Sequence, residues 1–274
     1  MKKTTLFCLI FLFLLATVQA AESRETLTLD ASGCRAMRIA CGAGYLKVQG
    51  KEGLQRIEVT AMLRVKGIGM GELAEFRKEN VTLKLEKTGS EAVLLAKIDE
   101  KFFLDKLFGG REARIDLDIS LPRSMNLSVE DGSGNVTINS LGGSLDLNDG
   151  SGDAMLDEIA GPVKIVDGSG DLRLANVKGA VEIEDGSGGL DLSDIAGHVE
   201  IEDGSGDIEL KNAGGDVVVD DGSGEIDLRG VRGSVRIDDG SGNIVIDGVE
   251  KDVTIEDAGS GEVDIRNVRG RVKK

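Results

Sequence analysis

Asp-Gly-Ser-Gly recurs at Asp131, Asp149, Asp167, Asp185, Asp203, Asp221 and Asp239, at an interval of 18 residues each time. An eighth unit starts on schedule at Asp257 but carries one extra residue, reading Asp257-Ala258-Gly259-Ser260-Gly261. Regularity of this kind restricts the chain to architectures in which one small unit is stacked on the next.

The apolar residues hold fixed places within each unit. Position six reads Val136, Ala154, Leu172, Leu190, Ile208, Ile226 and Ile244, and position eight is always Leu or Ile from Ile138 to Ile246. Position eleven is again apolar, as in Leu141, Ile159 and Val177, and position thirteen is Gly from Gly143 through Gly233. Positions fifteen and seventeen are aliphatic, as in Val181 and Ile183 or Val199 and Ile201. Alternation at six and eight, and at fifteen and seventeen, is strand periodicity with one buried face. Each unit is therefore expected to be two short strands joined by two glycine-assisted turns. Identical units stack like on like when they run in parallel. At about 4.8 Å per coil, eight coils give a rod of roughly 38 Å. A hexapeptide helix also turns in 18 residues, but its every-sixth aliphatic is missing, since position five is polar at Asp153, Asp171 and Asp207. The fold class is all-β, a single-stranded parallel β-solenoid of about eight regular coils, flat and two-sheeted.

Lys2 and Lys3 precede an apolar run to Val18, with small residues Val18 and Ala20 at −3 and −1 of a cleavage site. This reads as a signal peptide over 1–20, followed by an exported chain with no later segment able to span a membrane. Cys34 and Cys41 are then the remaining cysteines. If the stretch between them is extended, they lie too far apart for a disulfide.

Charge separates 21–130 from 131–274. The repeat region holds 32 acids against 13 bases, net −19, whereas 21–130 is close to neutral with 17 acids and 18 bases. Less regular β coils are expected in the first part, with a short helix at about 71–80 and strands at Val81–Leu85 and Ala92–Ile98. Residues 101–110 contain Phe102, Phe103, Leu104, Leu107 and Phe108. They read as a flap over the N-terminal end of the core or as a contact surface for a partner or lipid.

The Asp-Gly-Ser-Gly units, with Met37-Arg38-Ile39, Gly44-Tyr45-Leu46-Lys47-Val48 and Asp116-Leu117-Asp118-Ile119-Ser120-Leu121-Pro122 before them, resemble those of the bacterial putative-adhesin family of unknown function. The resemblance runs over roughly residues 30–274. It implies a right-handed parallel β-helix in the cell envelope, and it supplies no catalytic residues. The Phe-rich insertion falls outside the family pattern.

Stacking places the first-position aspartates in a ladder about 4.8 Å apart, where neighbours repel by about 1 kcal/mol even in water. They are therefore expected to face solvent or cations, with each Asp accepting backbone N–H bonds and both glycines supplying positive φ. A weak Ca²⁺ ladder over Asp149, Asp167, Asp185, Asp203, Asp221 and Asp239 is the alternative reading. The calcium-roll nonapeptide does not fit, because its Asp position holds Ile208 or Ile226. No other cofactor is expected.

The column from Ser133 to Ser241 has no His beside it, so it reads as a hydroxyl ladder between coils and not as a set of nucleophiles. The one histidine, His198, reads as a surface residue. Carboxylates recur with the period, and a catalytic pair would break it, so no enzyme is expected. Outward position seven (Thr137, Met155, Arg173, Asp191, Glu209) offers neither a threonine array for ice nor an aromatic stack for polysaccharide. Net −19 repels nucleic acid and anionic lipid. The sequence thus points to an exported adhesion-type or structural module that meets an envelope protein or surface through a repetitive acidic face.

Overall fold

The computed structural model describes residues 20–99 and 112–274. Two twelve-stranded sheets face each other across one continuous aliphatic core. The strands are β1 (Ala21–Asp30), β2 (Ala36–Cys41), β3 (Leu46–Lys51), β4 (Arg56–Val65), β5 (Val81–Thr88), β6 (Glu91–Ile98), β7 (Ala113–Pro122), β8 (Asn126–Asp131) and β9 (Val136–Leu141), then β10 (Leu145–Asp149) through β24 (Val272–Lys273). From β8 onward the chain alternates between the sheets, one five- or six-residue strand in each until the last. It therefore builds a β-solenoid whose pairings between successive coils are parallel and 18 residues apart, as in Leu145 on Val163, Leu147 on Ile165 and Asp149 on Asp167, becoming 19 at the last joint.

The two corners of each coil are built differently. At the Asp-Gly-Ser-Gly corner the backbone itself carries the stacking, with Gly150 N–H donating to Asp131 O at 3.0 Å and Gly152 N–H donating to Ser169 O at 2.9 Å. Only the second glycine has positive φ, 129° at Gly152 and 144° at Gly188. The first is required for a different reason: a Cβ on Gly168 would lie 2.5 Å from Gly150 O. The expectation that both glycines supply positive φ is corrected here. Coil-to-coil links at the Ser column run through its carbonyl oxygens, and its hydroxyls form no ladder.

The second corner explains why positions eight and eleven both point inward although they differ by an odd number. Position ten is left-handed, with φ 60° at Ser140, 57° at Glu158, 56° at Asn176 and 61° at Asn212. The ladder passes over it, pairing Asp157 with Ala175 and then Ile159 with Val177. One residue in αL thus resets the alternation and returns an aliphatic to the core.

The N-terminal end is closed. β7, β4 and β1 pair antiparallel on one sheet, and β6 and β5 on the other. Between β4 and β5 lies α1 (Met70–Asn80), whose Leu73 and Phe76 are buried. Its first turn is fixed by Glu72, whose Oε2 accepts the Gly69 N–H at 2.9 Å. The strand at Val81 and the one ending at Ile98 are longer than expected, because they form an antiparallel hairpin from Val81 to Thr88 and Glu91 to Ile98. Asp116, 2% exposed in β7, is held by the Arg64 guanidinium and by the Tyr45 N–H at 3.2 Å.

β2 and β3 form the coil on which the regular stack rests. Leu46 and Val48 pair with Val136 and Ile138, and Ala43 bridges to Ser133. Cys41-Gly42-Ala43-Gly44 is therefore a hidden version of the repeat corner, with Gly44 at φ 134°. Both Cys34 and Cys41 are free thiols.

Candidate functional site

The strands β8, β10 and their successors have their apolar side chains at positions fifteen and seventeen. The same alternation carries on to position one of the next unit, so the aspartates point inward. Asp131, Asp149, Asp167, Asp185, Asp203, Asp221 and Asp239 are 0 to 6% exposed. This overturns the expectation of a hydrated ladder. Strand parity and the tight glycine corner place the carboxyls against the core edge, and local N–H donors hold them there. In Asp149, Asp167, Asp185, Asp203, Asp221 and Asp239, Oδ1 accepts the backbone N–H of the Ser two residues on, at 2.9 to 3.3 Å. Asp131 instead takes the Cys41 thiol, Sγ to Oδ1 3.2 Å, because Cys41 occupies the ladder place in the coil below. The other oxygen, Oδ2, is out of contact with solvent and has no hydrogen-bond partner in all seven.

Burial pushes these carboxyls above the usual range. Asp149 rises to about 7, with the charges of Asp131 and Asp167 adding to burial. Asp167, Asp203 and Asp221 rise to about 6, again by burial first and neighbouring aspartates after it. Asp131, Asp185 and Asp239 are raised in the same direction. Burial also pushes up the Cys41 thiol, with Asp131 reinforcing it. The column ends at the inserted residue: the register shifts after Ile237, Asp238 pairs with Asp257, and Asp257 lies on the surface.

Outside this column runs a second one. Position eighteen of four successive units sets Glu184, Glu202, Asp220 and Asp238 in register on the exposed face of the sheet. The first three of these, with the corner glycines Gly186 and Gly204, border a shallow open groove directly over the buried aspartates. The position-five acids have a structural task that the sequence reading missed: Asp171 Oδ1 accepts the Gly189 N–H at 3.0 Å, and Asp207 Oδ1 accepts the Glu225 N–H at 2.9 Å. Acids on the outer faces, Glu184 of this column included, are partly offset by bases, as in Arg173 with Asp191 at 2.9 Å and Lys164 with Glu184 at 3.2 Å. His198 is exposed, 3.9 Å from Glu200.

The geometry fits a calcium ladder poorly. Ca²⁺ wants six to eight oxygens at about 2.3–2.6 Å, and among the described residues no group of three or more His, Cys, Asp or Glu converges to hold a metal ion. The unpartnered Oδ2 atoms are buried, one per coil. The candidate contact segment Phe102, Phe103, Leu104, Leu107 and Phe108, and the signal peptide except its last residue, lie outside the described residues. Among the described residues no helix is long and apolar enough to cross a membrane.

No curated protein matches the chain. Two solved structures are similar to it over 92% of its length: a putative cell adhesion protein from Clostridium sporogenes, 13% identical and 98% covered, with a TM-score of 0.26, and a putative adhesin from Bacteroides fragilis, 10% identical and 96% covered, with a TM-score of 0.33. At such values neither likeness bears on activity. The Toastrack DUF4097 family model matches residues 46–273, from the second strand of the hidden coil to the end of the last strand. The chain belongs to the Toastrack DUF4097 family.

Proposed function

We propose that this chain is exported and serves, without catalysing a reaction, as an adhesion-type or structural module of the bacterial envelope. Its binding element is the outer acidic ridge, and its partner is a basic protein surface. The observation that carries this reading is the in-register column Glu184, Glu202, Asp220 and Asp238, which repeats one carboxylate at each of four successive coils along the sheet. A repeated weak contact on a stiff frame gains strength by multivalency, since each further contact forms at high effective concentration. Exposed charges act mainly through steering and are screened by salt beyond about 8 Å at physiological ionic strength. Family membership supports the reading through fold alone.

Capture of a cationic probe such as polylysine, then of envelope extract, on the immobilised chain tests it. Binding should weaken steeply with added salt. It should also fall by at least tenfold when the four ridge acids are neutralised together by the changes Glu184→Gln, Glu202→Gln, Asp220→Asn and Asp238→Asn. Equal capture by this variant would remove the ridge from the proposal. A rise in melting temperature with millimolar Ca²⁺ would favour a calcium-responsive protein instead.

A further inference from the structure

Seven carboxyl groups lie in one column with one oxygen satisfied and the other sealed off without a donor. An unpaired buried charge is strongly destabilising, and a row of them at the coil spacing adds mutual repulsion. A column of bare carboxylates is therefore not a stable arrangement, and something must neutralise it. No basic side chain is among the buried residues described. A metal ion would need converging oxygens, and the carboxyls supply only one free oxygen per coil. A proton needs neither space nor a coordination shell, and it turns the orphan acceptor into a donor.

We infer that the buried aspartates form a proton-binding column, in which protons neutralise the sealed-off carboxyls and successive in-register rungs titrate together. In-register pairing makes each carboxyl the neighbour of the next, from Asp131 through Asp149 to Asp239. Cys41 on β2 stands at the start of the column, its thiol donating to Asp131 Oδ1. The other titratable groups acting on the column are Lys97 near Cys41, Asp153 near Asp167, Asp207 and Asp220 near Asp221, and Asp238 and Asp257 near Asp239. Apart from Lys97 all are acids, and they favour retention of protons. Interacting sites of this kind titrate as a set.

The consequence is a rod whose cohesion depends on pH. The folded-state values are raised above the unfolded value of 3.8. Below that value both states are protonated and the contribution is complete. Between it and about 6 to 7 the unfolded chain releases protons that the column still holds, so stability falls as pH rises. Above about 7 the loss is complete. Each retained proton changes the folding equilibrium up to about tenfold per pH unit across that window.

The test uses the full chain. Infrared spectroscopy should show a protonated carboxyl C=O band at about pH 5.5, where exposed acids are ionised, and the band should vanish by about pH 8. Its absence at the lower pH overturns the inference. Urea unfolding of the native chain should lose stability over the same interval, whereas Asp203→Asn combined with Asp221→Asn, whose amides do not titrate, should flatten the slope by up to about two protons. An unchanged slope overturns it as well. Ca²⁺ should leave the band in place, and loss of the band on adding Ca²⁺ at constant pH would assign the column to the metal.

Discussion

The strongest constraint on this rod is the fourth-position glycine, and the adjacent pair Gly188 and Gly189 allows it to be tested within one coil. A Cβ on Gly188 would stand 1.8 Å from Gly170 O, at a backbone φ of 144°. Carbon normally keeps about 3.3–3.6 Å from a carbonyl oxygen, so Gly188→Ala demands that two coils part by roughly 1.5 Å. The bond from Gly188 N–H to Ser205 O and that from Gly170 N–H to Ser187 O, both 3.1 Å, hold the corner where it is. Backbone strain costs about 1–3 kcal/mol, overpacking about 1–3, and each lost hydrogen bond about 1. With one of the two bonds lost the total is about 3–7 kcal/mol, comparable to the whole stability of many domains. Gly189→Ala is the control. Its Cβ would meet only the Asp171 side chain at 3.4 Å, and the change should be neutral or stabilise by about 0.4–1 kcal/mol. Urea unfolding followed by circular dichroism measures both. Hydrogen exchange should show protection lost first in the coils flanking residue 188, because repeats couple chiefly to their neighbours. Equal stability of the two variants would refute the close-approach argument.

Glu158 is the least suited residue in the left-handed column, which elsewhere holds Asn, Asp, Ser or Gly. Glu158→Asn should stabilise by about 0.5–1 kcal/mol, despite loss of the exposed bond from Ser140 Oγ to Glu158 Oε2 at 2.7 Å, and a thermal melt should register it as a higher midpoint. Arg64→Ala strips the buried Asp116 of its main partner, leaving Arg114 at 3.5 Å and the Tyr45 N–H. A loss of about 2–4 kcal/mol is expected, and adding Asp116→Asn should recover part of it in a double-mutant cycle.

The solenoid and its two flat sheets were readable because aliphatics recur at positions six and eight and at fifteen and seventeen. The burial of the aspartates was readable by the same rule, since position one continues the series fifteen, seventeen. Charge obscured it: an acid in a glycine corner resembles a solvated turn, although the backbone N–H bonds expected at the aspartates are present, given by the Ser two residues on. The left-handed position ten also left a trace, in the odd step from eight to eleven and in the recurrence of Asn and Gly. The coil containing Cys41-Gly42-Ala43-Gly44 was hidden because its next structural neighbour is Asp131, across an insertion carrying β4, α1 and β5 to β7. The antiparallel closure of the N-terminal end rests on long-range pairing that has no local periodicity.

The glycine columns have a consequence for how such a molecule changes over generations. Every joint between regular coils is the same joint, so coils are interchangeable parts. Removing residues 185–202 would bring Asp203 to Asp167 and Gly206 to Gly170, recreating the contacts now made by Asp185 and Gly188. Gain or loss of one unit by slippage in a repetitive coding sequence therefore alters reach by about 4.8 Å without requiring a new interface. Length becomes a heritable quantity that moves in whole steps, and selection can set the distance this rod spans separately from the surface it presents.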